Sequence, residues 1–325
     1  MVSMDRTSEE IVQQLDLHAK ELLKVWKEKA PSVRRDATRK HASIKREIAN
    51  RWKRPLDLLD ILLGVSREAG ERFSQEHASI AEKEDDFVFI VVRNMHIRSC
   101  RVAAEVRELM AAGFADGAMA RWRTLNEIAV ISSFIRNTGN EAARRYIDHN
   151  VIGSFNLVDE YLRVYPEGGK FTKEDLSRAT QLKENIIENY EKMFEKDYGW
   201  AAPWFDKVPT FKKIEDSQMR QFRPYYRFAS QEVHAGIGGD MFQMGLHPKQ
   251  EGEALLAGPS VWGLEEPGQN TAISANQILT AFLTMGKGYE IISILRAHLI
   301  LEKETVDAFV KVGADMRSRA TASLS

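Results

Sequence analysis

The sequence predicts an all-α protein, a helical bundle with an N-terminal helical extension, and three observations predict it. Val88, Val92, Met95, Ser99, Val102, Val106 and Leu109 step by fours and threes, the stripe of a long amphipathic helix with one buried face. Short stretches such as "AAGFADG" and "NTGN" cut the apolar segments into helix-sized pieces. "FTKEDL" then carries an N-cap signature, Thr172 with Asp175 three residues on.

Taken from the start, Leu15, Leu22 and Trp26 recur near helical spacing in a first segment, and Pro31 with Ser32 reads as the start of a second, basic helix. Pro55 marks a boundary before the apolar run "LDLLDILLG". Beyond the Val88 stripe, a helix from about 114 to 137 stops where Gly139 suits a C-cap. Another spans about 141–165 and closes at Pro166. The helix opened by Thr172 presents Leu176, Ala179, Leu182, Ile186, Tyr190 and Phe194. "YGWAAPWFDKVPTFKK", with two prolines and a density of aromatics, is a structured loop. Its rings suit a satellite cluster on the bundle, or base stacking beside Lys207, Lys212 and Lys213. A helix from about 217 to 234 follows, with Pro224 as a kink or a true start, then a Gly- and Pro-rich loop over 236–269. A last apolar helix covers roughly 271–302. The expected organisation is an extension over 1–84, a helical-bundle core over 85–312 and a flexible tail over 313–325.

With 325 residues, 43% of them hydrophobic, the chain can bury a substantial core. Cys100 is its single cysteine, so no intramolecular disulfide or Cys-based zinc cluster forms, which fits a reducing, cytoplasmic setting. No stretch approaches the ~20 apolar residues of a membrane span, and the acidic, polar start does not read as a signal peptide. The net charge of −1 excludes a general polycation. Locally, 34–54 holds nine basic residues against Asp36 and Glu47. Arg34, Arg35, Arg39, Lys40, Lys45 and Arg46 fit a phosphate backbone or an acidic protein partner, or form a solvated face.

Two polar constellations stand out against the apolar background. In "RTLNE", Arg123 and Glu127 share one helix face with Ala120, Val130, Ile131 and Phe134. A charged pair in such company calls for further polar partners from another helix. In "YYRFASQEVHAGIGGD", Arg227, Ser230 and His234 fall within one quadrant of a continuous helix, beside Tyr225 and Tyr226. The two clusters are expected to meet. No metal site is expected: the eight histidines are scattered, and "HAGIGGD" offers only His234 and Asp240. No cofactor is expected either, since "GIGGD" lacks the context of a phosphate-cradling loop.

"RTLNE" after the "GAMA" turn, "YYRFASQEVHAG" about a hundred residues later, and then "GPS" and a closing helix together resemble a bacterial domain family of unknown function, DUF5677, over roughly 87–300. The resemblance implies a cytoplasmic all-α protein without an assigned activity. Arg227, six intervening residues and His234 are also similar to the Arg-(four to six)-His motif of HEPN ribonucleases, with Phe228 where those motifs usually carry a polar residue. That similarity implies a metal-independent endoribonuclease, usually dimeric and often found in toxin and phage-defence systems, with Arg227 and His234 as its motif pair. The residue types suit the chemistry. Histidine moves a proton near neutrality, arginine presents a planar fork to phosphate, and Glu127 would orient the imidazole. RNA and a second copy of the chain are the partners this reading expects. The other reading is a non-catalytic interaction module in which an Arg/Glu/His network fixes helix register, Tyr225 and Tyr226 serve as core or capping residues, and the basic helix binds a partner protein.

Overall fold

The computed structural model describes residues 8–233, 243–247 and 256–322, and among them every regular element is helical. The α-helices are α1 Ser8–Arg51, α2 Lys53–Lys83, α3 Phe87–Ala111, α4 Ala115–Thr138, α5 Asn140–Asp148, α6 Asn150–Val164, α7 Lys173–Glu188, α8 Phe211–Gln218, α9 Arg223–Val233, α10 Glu265–Leu283 and α11 Tyr289–Ala322. Short 3-10 turns at Lys192–Glu195, Gly199–Trp204 and Arg220–Phe222 link the middle of the chain.

The core is built around α10, which packs against α2, α3, α4 and α11. A helix enclosed on so many sides keeps only a narrow solvent stripe, here Gln269, Ile273, Gln277 and Thr280, and α10 buries Asn270, Thr271, Ser274 and Asn276 beside Ile278, Leu279 and Phe282. The α3 stripe does what its spacing requires: Val92, Met95, Ser99, Val102 and Val106 are buried, with Val88 and Leu109 partly so at its ends. The predicted capping box at Thr172 is present, the Thr172 hydroxyl accepting from Asp175 N at 3.2 Å and the Asp175 carboxylate accepting from Thr172 N at 2.9 Å. Gly139 closes α4 at φ 103°.

Several boundaries fall elsewhere than the sequence suggests, each for a local reason. Pro31 does not start a helix; it lies inside the 44-residue α1. Proline removes one rung of the ladder, and the Ser32 hydroxyl donates to Lys29 O at 2.8 Å in the same turn. The segment expected as one helix over 141–165 is interrupted at His149, whose ring nitrogen lies 3.0 Å from Lys196 O and whose ring packs edge-on against Phe194. Pro224 lies in the first turn of α9, as a true helix start. The last apolar stretch is two helices, because Gly286 and Gly288 separate α10 from α11. Gly288 adopts φ 131°, which other residues rarely take, and a Cβ at Gly286 would meet Phe73 and Ile291. From 313 onward α11 stays helical through Ala322, with Met316 and Ala320 buried.

Of the segment 1–84, α2 belongs to the central core. Leu56, Leu59, Leu62 and Phe73 are buried there, and Trp52, at the α1–α2 break, is fully enclosed with its indole N–H donating to Val261 O at 2.9 Å. α1 behaves differently. It touches α2 and α3 at its C-terminal end, where Ile44 and Ile48 join the core, and residues 10–43 are exposed.

Between α2 and α3, His96 is buried against Phe282, and burial lowers its pKa to about 4. A histidine depressed in the fold contributes stability that is complete above its ordinary value of 6.5 and is lost as pH falls from there toward about 4, because the unfolded chain takes the proton first. Stability is therefore expected to fall by about 2 kcal/mol between pH 7.5 and pH 5 through this residue. Urea unfolding at the two pH values checks it, and His96→Asn should flatten that part of the profile.

Candidate functional site

The polar residues of "RTLNE" form two linked clusters where α4, α8 and α9 meet. Tyr226 is the hinge between them. It is buried on the inner face of α9, and its hydroxyl donates to Glu127 Oε1 at 2.6 Å. Two guanidinium groups flank its ring, Arg123 at 4.9 Å from the centroid and Arg223 at 5.3 Å. Arg123 Nε lies 3.2 Å from Glu127 Oε1, but its N–H is off line, and Nε has no hydrogen-bond acceptor. The contact is a close ion pair and not a hydrogen bond. Burial, then the hydrogen bond to Glu127, hold the Tyr226 phenol well above its ordinary range.

The second cluster is more deeply enclosed. Glu215 of α8 is fully buried and accepts from Asn126 Nδ2 at 3.1 Å and from Arg223 Nη1 at 2.8 Å. Arg223 thus joins the two clusters, with its guanidinium on the Tyr226 ring and its Nη1 on Glu215. Together they tie α4 to the turn that launches α9. Beside Glu127 lies a cavity of about 170 Å³, lined in part by Arg98, Thr124, Tyr146 and Tyr198. Burial first, and the neighbouring Glu127 second, push the Tyr198 phenol up to about 12.

The sequence-predicted site residues therefore divide. Arg123, Glu127 and Tyr226 converge. Ser230 joins them only through the main chain, its half-buried hydroxyl donating to Tyr226 O at 2.8 Å. Arg227 is exposed, one residue round the helix from the inward-facing Tyr226. The two polar constellations meet through Tyr226, because a helix that turns residue 226 inward turns its neighbour about 100° away. His234 and Asp240 lie outside the described residues. Arg34, Arg35, Arg39, Lys40, Lys45 and Arg46 are all exposed on α1, which packs on α2 and α3.

Sequence reasoning missed Asn126, Glu215 and Arg223. Asn126 stood inside the quoted motif. Glu215 had a readable signal: it follows Phe211 and Ile214 at helical spacing, a carboxylate on the apolar side of a short helix. The aromatic loop packs as a satellite of the bundle. Trp200, Trp204 and Phe205 surround Phe134 with centroids 5.7, 6.0 and 5.8 Å away, and Phe211 lies 4.8 Å from Tyr226. Arg145, buried beneath it, donates to Trp200 O at 2.9 Å and pairs with Glu191. Among the described residues no group of three or more His, Cys, Asp or Glu is placed to hold a metal ion, and no helix is long and apolar enough to cross a membrane.

Fold and site together define an all-α bundle in which α4 is tied to α8 and α9 by a partly buried Arg/Glu/Tyr network. Residues 89–247, from α3 through α9, match the model of a "Family of unknown function (DUF5677)", the family that the motifs resemble. No curated protein and no solved structure matches the chain.

Proposed function

We propose that this protein is a non-catalytic all-α interaction module, in which the Arg123–Glu127–Tyr226 and Asn126–Glu215–Arg223 clusters set helix register and α1 carries the binding surface. One observation supports this above others. α1 is 44 residues long, yet its exposed part keeps large apolar side chains, among them Leu15 at 63% and Trp26 at 64% exposure, in front of a basic end. An isolated helix of that kind gains little in water without a partner to cover it. Most polar atoms of the two clusters, by contrast, are engaged with one another, Arg123 Nε and Asn126 Oδ1 being the exceptions.

The second reading is the HEPN-like endoribonuclease, in the role of a toxin or phage-defence effector. It is favoured by the exposure of Arg227, whose guanidinium stands at the surface on the helix that leads to His234. One experiment separates the two. A mixed tRNA and mRNA substrate is incubated in EDTA with the wild-type chain, Arg227→Ala and His234→Ala, and thermal unfolding is followed for each protein. The module reading expects intact RNA in all three. Cleavage by the wild type that is lost by at least about 100-fold in both variants, with unchanged melting, would replace it with the ribonuclease.

A further inference from the structure

We infer that the partner covering α1 is the α1 of a second copy of this chain, and that the two helices pair antiparallel. The inference rests on the module reading and adds the partner and the geometry. Val12, Leu15, Ala19, Leu22, Trp26 and Val33 follow one another by alternating threes and fours, apart from one skipped step at Lys29, which is the seam of a two-stranded coiled coil. All six positions are exposed, with Val12 at 54% and Val33 at 64%. Leu23 and Val25 widen the seam at its middle. The seam spans about 30 Å at 1.5 Å per residue. Among the described residues, 10–43 of α1 are exposed, and α1 joins the core through Ile44 and Ile48 near its C-terminal end.

Charge decides who covers the seam and in which direction. Residues 8–23 carry Glu9, Glu10, Asp16 and Glu21 against Lys20. Residues 24–46 carry nine cations against Glu28 and Asp36. Parallel pairing would set the two cationic halves side by side at a helix spacing of about 8–10 Å, close to the screening length at physiological salt, and so oppose association. Antiparallel pairing lays each acidic half along the partner's basic half. It also makes the seam self-complementary. With Leu22 set against the partner's Trp26, Leu15 falls against the partner's Val33 and Leu23 against the partner's Val25, one such set on each side of the centre, while Val12 falls against the partner's Asp36 at the end of the apolar stretch. Lys29 falls opposite Ala19, which leaves its ammonium room to reach the edge.

The test uses the full chain. Sedimentation of the wild type should show a dimer that weakens with added salt. Leu22→Asp and Trp26→Asp should each weaken it by at least about 100-fold, with the cooperative unfolding of the helical core unchanged because neither side chain touches that core. Orientation is read by disulfide formation in a Cys100→Ser background. Leu15→Cys and Val33→Cys, mixed, should cross-link to each other while each alone stays unlinked. Homodimer cross-linking of either variant alone indicates parallel pairing and overturns the geometry. A monomeric wild type, or a dimer indifferent to Leu22→Asp and Trp26→Asp, overturns the pairing, and a monomer that instead shifts RNA assigns α1 to nucleic acid. These outcomes are independent of the cleavage assay. Loss of the dimer leaves the non-catalytic reading standing, and EDTA-resistant cleavage removes that reading whatever the assembly state.

Discussion

Trp122→Ala is expected to cost about 3–5 kcal/mol of stability, the range for truncating a large aromatic in a packed core. The side chain is fully enclosed on α4, facing α10. Its indole N–H donates to both Asn270 O and Ser274 Oγ at 3.0 Å, so it satisfies a carbonyl and a hydroxyl inside the helix that every other core helix leans on. Truncation opens a cavity at that junction and leaves both acceptors short of a donor. Trp122→Phe separates the two contributions. It keeps most of the volume and loses the N–H, and should cost about 1–2 kcal/mol. Urea unfolding of the three proteins checks the order. A loss below about 1 kcal/mol for the alanine variant would mean that α4 and α10 do not share one cooperative core.

The helices that were legible in the sequence are those whose signal is local. The α3 stripe needs only its own 3.6-residue period, and the Thr172 capping box needs only four consecutive residues. α1 was misread at Pro31 because proline is a strong local stop, while the cost of one lost hydrogen bond is small against the many rungs of a 44-residue helix. The α10–α11 break was hidden by apolar residues on both sides, and only the Gly286 and Gly288 pair carried the information. The site shows the same division. Arg123 and Glu127 were found because charged residues among apolar neighbours are anomalous on one helix. Glu215 was not, because its partner Asn126 stands 89 positions away and no spacing rule reaches that far. The pairing of Arg227 with His234 is a spacing argument alone. Tyr226, which the same argument placed beside them as a supporting residue, is the one that reaches α4.

Glu215→Leu is expected to cost about 3–5 kcal/mol, as removal of one member of a buried ionic network does, with the lower end favoured because Arg223 keeps a partly exposed side chain, 29%, and can turn toward water. Asn126 has no such escape. It is fully buried, its Oδ1 already lacks a partner, and loss of Glu215 strands its Nδ2 as well. The loss should therefore be concentrated on the α4–α8 contact. Adding Arg223→Met to Glu215→Leu should restore part of it, since an apolar pair avoids desolvating a lone cation, and the double-mutant cycle should return a coupling of about 1–3 kcal/mol. Chemical unfolding measures all three variants. Additivity within about 0.5 kcal/mol would show that the carboxylate and the guanidinium do not act together, and would remove the link through which the two clusters hold α9 in register with α4. Coupling in the expected range makes the buried network a structural device, since an Arg223 engaged with Glu215 and stacked on Tyr226 is not free to meet a ligand.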